Sequence, residues 1–308
     1  MNSGVVTLFK LAVLAGLMLF PAIGSSFYVE LVAKILVMAI FAMSLALLVG
    51  FTGLVSLGHA AYFGIAAYTV ALIAPEYEAA NLWFVLAASV LAAGAAAFFV
   101  GLFVLRTKGI YFIMVTLAFA QMAYYLFVSA RSWGGDDGLP LSGRMTLAGF
   151  SLADDAALFH TALALLALAM LLFGRLAEAR FGRTLQAIRE NETRMEALGY
   201  PVFRYRLVAF ALGGAVAGLA GALLANLTGL ASPNLLQWTQ SGTLLVMVII
   251  GGVGYLYGGV LGAAVLLLLE ETLVGFTEHW HIVLGLLLLA VVLFAPKGVA
   301  ALFGKRHG

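Results

Sequence analysis

Apolar residues fall into ten runs, near 5–24, 29–50, 56–74, 82–105, 109–128, 158–174, 206–228, 240–253, 258–276 and 281–295, each bounded by charge or turn residues. Most approach the roughly 20 residues that a helix needs to cross about 30 Å of hydrocarbon. None alternates over ten residues as a barrel strand does. Without water to satisfy its backbone, such a run spans a bilayer as helix. The pattern predicts an all-α, polytopic transmembrane helical bundle of about ten spans, organised as one membrane domain over 1–308. Composition agrees: the chain is 64% hydrophobic and 10% charged, with a mean hydropathy of +1.10, and a soluble domain of 308 residues needs far more polar surface.

Three joints between the runs carry no charge: "GFTGLVSLG" (50–58), "GLASPNLLQWTQ" (229–240) and "GGVGYLYGG" (251–259). Irregular backbone at membrane depth is tolerated only where protein or a water-filled cavity satisfies it. The joints are therefore candidates for discontinuous helices beside a pathway. The alternative is a set of tight turns in which glycine lets helices pack closely. The first and third lie between spans of matching direction in the two halves of the chain, a hint of internal duplication.

With the N-terminus inside, thirteen of the sixteen basic residues fall on the cytoplasmic side, from Lys10, Arg106 and Lys108 through the loop 175–206 to Lys297, Lys305 and Arg306. Lys34, Arg131 and Arg144 remain outside, with ten of the fourteen carboxylates. This asymmetry places both termini in the cytoplasm. A competing reading makes 1–24 a cleaved signal peptide, because Lys10 precedes an apolar run ending in "PAIGSS".

More than a third of all charges sit between Arg175 and Arg206, seven Arg and four Glu. Within 183–199, Leu185, Ile188, Met195 and Leu198 recur at spacings that predict one face of a short helix, with Arg189, Glu190, Arg194 and Glu196 around the rest. Gly199 and Pro201 end it. Such an element could lie on lipid, bridge loops of its own chain, or fit a groove on a soluble partner. Mixed charge and the absence of aromatic residues over 182–199 favour the protein groove.

Catalytic chemistry finds little support. There is no cysteine, no HExxH pair and no Gly-x-Ser-x-Gly elbow, and the chain lacks a G-x-x-x-x-G-K-[ST] phosphate loop. Neither a cofactor nor a metal site nor a nucleic-acid partner is expected, and energy must come from a partner or an ion gradient. A secondary carrier would place ionisable groups inside its bundle, and the spans before residue 270 hold almost none. Ser56, His59, Tyr62, Thr116 and Gln121 are the polar candidates for a translocation path, with helix packing as the plainer role for His59. Glu270 and Glu271, near the outer surface, read as structural or interfacial. The acidic outer loop 130–157, with "GGDDG" (134–138), is a place for a solute-binding protein to dock; Asp136 and Asp137 are too few for a calcium site.

Four segments, "GFTGLVSLGHAAYFGIAAYT" (50–69), "RTKGIYFIMVTLAFAQM" (106–122), "GRTLQAIRENETRMEALGYPVFRYRLVAFALGGAVAGLAGAL" (182–223) and "GGVGYLYGGVLGAAVLLLLEE" (251–271), resemble the LivM-like membrane subunits of ABC importers for branched-chain amino acids. The resemblance implies an inner-membrane permease of bacterial type, forming half of a translocation pathway. Its implied partners are a second, different permease subunit, two cytoplasmic ATP-binding subunits and an extracytoplasmic solute-binding protein. It further implies a coupling loop over about 177–205 that docks on the ATPase through Arg183, Leu185, Ile188, Arg189, Glu190, Asn191, Met195 and the "EALG" core Glu196, Ala197, Leu198 and Gly199. A cytoplasmic tail follows over about 297–308. Leucine, isoleucine and valine are the implied substrates; urea, short amides and other amino acids belong to similar permeases. In the topology derived from charge, a Glu190→Cys variant reacts with an impermeant thiol reagent only from the cytoplasmic face, and labelling from outside would invert the scheme.

Overall fold

The computed structural model describes residues 16–74, 81–141, 143–147, 150–255, 257–276, 279–294 and 298–302. After a helical stretch at 16–23, the main helices are α1 (Ser26–Leu47), α2 (His59–Ile73), α3 (Leu82–Val104), α4 (Ile110–Ser129), α5 (Asp155–Glu178), α6 (Arg180–Glu190), α7 (Glu192–Ala197), α8 (Val202–Thr228), α9 (Trp238–Gly251), α10 (Gly258–Val274) and α11 (Trp280–Phe294). A π-helical turn, Leu48–Thr52, extends α1.

Among the described residues, five helices are long and apolar enough to cross a membrane: α1 with its π turn, α3, α4, α5 and α8. At 15 and 14 residues, α2 and α9 reach only about 22 Å at 1.5 Å per residue. Each adjoins an uncharged break, 50–58 before α2 and 229–240 and 251–259 on either side of α9. The expected run 5–24 lies largely outside the described residues, as do 295–297 and 303–308 of the C-terminal region. Two small sheets depart from the all-α expectation. Strand β1 (Leu139–Pro140) pairs antiparallel with β4 (Leu230–Ala231), Leu139 opposite Ala231, and β2 (Thr146–Leu147) pairs with β3 (Phe150–Ser151).

The core is built where α8 meets α1, α2 and α3. Glycine on α8 permits the close approach. A Cβ at Gly214 would sit 2.2 Å from the Cβ of Ala97, one at Gly218 2.4 Å from that of Ala93, and one at Gly221 2.0 Å from the Phe63 carbonyl oxygen. Residues spaced by four and three lie on one face of a helix, so these three form a single groove. A second close contact joins α9 to α10, where a Cβ on Gly262 would fall 1.7 Å from the carbonyl oxygen of Met247.

Loops sort to the two ends of the bundle. At one end, Lys108 of the α3–α4 connection reaches Glu192 of α7, Arg189 of α6 hydrogen-bonds the Gly50 carbonyl, and Gly50 lies against Gly254. At the other, β1 meets β4, the Leu141 amide donates to the Gly229 carbonyl over 2.9 Å, and Ser26 donates to Asp155 over 2.6 Å. Lys108, Arg189 and Arg206 are thus together at the first end and the acidic segment 136–155 is at the second; Lys10, Lys297, Lys305 and Arg306 lie outside the described residues.

Gly221→Ala is expected to force α8 away from α2, a cost of about 1–3 kcal/mol for overpacking. Gly242→Ala, with nothing within 4 Å of its new methyl, should be silent. Thermal melting in detergent, followed by size-exclusion fluorescence, checks the pair, and equal midpoints would contradict the close contact.

Candidate coupling site and translocation pathway

The charged loop is two helices rather than one. Backbone at Asn191 leaves helical geometry (φ −153°, ψ 93°), and its Oδ1 accepts a hydrogen bond from the Arg194 amide at 2.9 Å. Asparagine is a preferred N-cap, so α7 begins afresh there. Leu185 and Ile188 are 1% exposed, and Met195 is buried with Ile188 and Val202 beside Tyr205. These three form the inner face that periodicity predicted. Leu198 does not join them: it is 66% exposed. The reason is local. Leu198 is the C-cap of α7, after which Gly199 turns left-handed at φ +83°, the Gly199 amide bonds the Glu196 carbonyl at 2.9 Å and the Tyr200 amide bonds that of Met195 at 3.1 Å. This pair of bonds is a Schellman closure, and it carries the chain off the helical face.

The loop's outward surface therefore includes Arg183, Glu190, Asn191, Glu196, Ala197, Leu198 and Gly199, all exposed, together with Thr193, Arg194 and Tyr200. Arg189 is exposed as a residue, but its side chain lies against Gly53 and its guanidinium donates to the Gly50 carbonyl inside the neighbouring break.

An ionic tie absent from the sequence-derived set secures α7. Glu192 pairs with Lys108 at 3.0 Å and with Arg206, at the start of α8, at 2.9 Å. Partial burial pushes its carboxyl upward, but the hydrogen-bonded Lys108 and the Arg206 charge outweigh this and hold it below its ordinary range. Lys108 is 84 positions away along the chain, so no local pattern announces the pair.

The polar residues proposed for the path converge on the 50–58 break. Ser56 accepts from the Gly58 amide at 3.2 Å, and Thr116 of α4 accepts from the Leu57 amide at 3.2 Å. Ser241 of α9, which sequence reasoning passed over, accepts from the Ala60 amide at 2.9 Å. Thr116 and Ser241 thus stand in for carbonyls that the interrupted helix cannot supply. His59 and Tyr62 are fully enclosed where α2 faces α1 and α8. Ser44 donates to the Phe41 carbonyl at 2.6 Å, so at 2.8 Å it accepts from Nε2–H of His59, which leaves Nδ1 without a protein partner. Phe41 stacks on the His59 ring and Tyr62 meets it edge-on. Gln121 lies half-buried on α4, apart from these hydrogen bonds.

A family model described as the permease component of branched-chain amino acid transport systems matches residues 27–292. The chain belongs to this permease family. It is a transport component and not an enzyme. The high-affinity branched-chain amino acid transport system permease protein LivM of Escherichia coli K12 is 30% identical over 316 aligned residues, covering 95% of this chain and 74% of that protein. A probable LivM of Methanocaldococcus jannaschii is 30% identical over 149 residues, 43% of each chain. The autoinducer 2 import system permease protein LsrC of Escherichia coli O9:H4 is 35% identical over 133 residues, 39% of this chain and 37% of its own. No solved structure matches the chain with comparable significance.

For this permease, the low Glu192 carboxyl sets a pH window. A carboxylate whose value is depressed on folding contributes stability that is complete above its unfolded value and is lost as pH falls through the folded one. Hydrogen exchange at residues 192–200 should be flat from about pH 8 to about pH 5, after correction for intrinsic rates, and accelerate below the ordinary glutamate value of about 4.3. Glu192→Gln should exchange fast throughout, and a Gln variant indistinguishable from wild type would show the tie to be idle.

Proposed function

We propose that this permease is half of the translocation pathway of an ATP-driven importer for branched-chain aliphatic amino acids, leucine, isoleucine and valine. It would act as a single membrane domain in a bacterial inner membrane, both termini in the cytoplasm. The observation that carries the reading is the α6–α7 loop. Its inner face is anchored by Leu185, Ile188 and Met195, while Arg183, Glu190, Asn191 and the Glu196–Gly199 core stand outward with Leu198 uncovered by any described residue. A 66%-exposed leucine in a charged rim is the form of a small docking knob, where an apolar anchor supplies affinity and the charges fix register. Family membership and 30% identity over 95% of the chain to a LivM support a cytoplasmic ATP-binding subunit as the partner.

Transport would follow from alternating access. ATP-driven movement of the docked loop at one end, and engagement of a solute-binding protein by the acidic 130–157 segment at the other, would bias two arrangements of the bundle. A second, different permease subunit would complete the pathway, with Ser56, His59, Tyr62, Thr116 and Gln121 beside it. The partial likeness to LsrC favours a second reading, import of autoinducer 2 by the same machinery.

Uptake of labelled leucine, urea and autoinducer 2 into proteoliposomes holding the assembled complex separates these substrates. Leucine uptake that depends on ATP is the expected result, and transport of only another solute would replace the substrate assignment. In the same complex, Leu198→Asp should leave folding intact and cut binding-protein-stimulated ATP hydrolysis by about tenfold or more, the loss of one interface anchor of about 1.4 kcal/mol. Uptake that persists without any ATPase subunit would favour a secondary carrier.

A further inference from the structure

The π turn Leu48–Thr52 ends on Gly53 in the left-handed conformation, φ +71°, and from there the chain leaves the helix. Carbonyls at such an end lose the amides that would continue the ladder. The Gly50 carbonyl finds its donor 139 residues on, in the guanidinium of Arg189 on α6. The fit extends along the whole side chain: the Arg189 Cγ lies 3.4 Å from where a Cβ on Gly53 would be. A cation on the last carbonyls of a helix also opposes the negative end of its dipole.

Behind Gly50 lies the 251–259 break. A Cβ on Gly50 would come 3.7 Å from both N and Cα of Gly254. Between the two breaks is a crevice lined by Leu47, Gly50, Phe51, Phe173, Gly254 and Tyr255, of about 10 Å³, room for one water and not for a solute. The two breaks meet here and form a closed seam. The group that grips one lip of it belongs to the loop described above as the docking element. Leu185 and Ile188 fix α6 to the bundle on its inner face, so displacement of α6 carries the Arg189 backbone with it.

We propose that Arg189 is a latch rather than a partner-binding residue: it pins the Gly50 end of the π turn in the position where it abuts Gly254, and displacement of α6 withdraws the guanidinium and frees that end to part from the 251–259 break. That displacement by an ATPase subunit rests on the function proposed above; the closed seam and its latch do not. Arg189 is a positioning residue, acting on the pathway through the Gly50 backbone. Of the residues in the loop, it alone joins the outward surface to the break by a side-chain hydrogen bond among the described residues.

The chain has no cysteine, so Tyr255→Cys places one thiol at the seam. Its labelling by an impermeant maleimide is measured in the intact complex without nucleotide, in otherwise wild-type, Arg189→Ala and Arg189→Lys backgrounds. Arg189→Ala is expected to raise the labelling rate by about tenfold, the change in opening equilibrium for loss of one charge-assisted hydrogen bond. Arg189→Lys, which keeps a cationic donor, should stay within about threefold of wild type. Equal rates in all three would overturn the latch, as would an Arg189→Lys rate as high as that of Arg189→Ala. A Leu185 and Ile188 anchor unaffected by the substitution is checked by an unchanged melting midpoint, and a lowered midpoint with unchanged labelling also overturns it. Because no nucleotide is present, this labelling decides the latch alone. Co-purification of an ATP-binding subunit with the wild-type complex, abolished by Leu198→Asp, decides the other reading separately.

Discussion

A backbone that stops being helical inside a membrane must have its amides and carbonyls satisfied by the protein itself, and this requirement organises the bundle. At 48–60 the donors and acceptors come from four places: Arg189 on α6, Thr116 on α4, Ser241 on α9 and Ser56 within the break. Those contacts draw together helices that share no neighbouring sequence. Unsatisfied, each group would cost several kcal/mol in hydrocarbon. The irregular segment is therefore among the most cross-linked parts of the molecule, and the place where movement of one helix is felt by three others.

Around that hub, small residues set the distances. The α8 groove formed by Gly214, Gly218 and Gly221 brings backbones nearly into contact with α2 and α3, where lipid offers no hydrophobic drive and packing must do the work. By contrast, α4 shows lipid-facing or partner-facing residues such as Tyr111, Met114, Met122 and Leu126 along most of its length. A tight inner unit of α1, α2, α3 and α8 and a looser periphery are the result. The 50–58 break lies inside this unit, between α1 and α2.

Much of this was legible along the chain. Runs of apolar residues located the helices, glycine-rich uncharged joints located the breaks, and the spacing of Leu185, Ile188 and Met195 identified a buried face that the structure retains. Errors came where a period was carried across a cap. Leu198 has the right spacing, but Asn191 restarts the helix and Gly199 terminates it in the left-handed region, so the count no longer predicts direction. What no local reading supplies is pairing at long range: Glu192 with Lys108 and Arg206, Arg189 with Gly50, and β1 with β4 each depend on how the helices are arranged. Ser241 was invisible for the same reason, since a serine in an apolar run has no mark that distinguishes a surrogate cap from filler.

The short antiparallel pairing of Leu139–Pro140 with Leu230–Ala231 ties the acidic segment to the top of α8, whose 27 residues run about 40 Å as one unbroken rod to Arg206 and the ion pair with α7. A single strut is thus fastened to a surface at each extremity. If a protein seated on either surface prefers one tilt of that strut, thermodynamic reciprocity obliges the protein on the far side to bind that tilt better by the same factor. Conversation across the bilayer then needs no relay of rearranging side chains, only a stiff lever with two firm attachments.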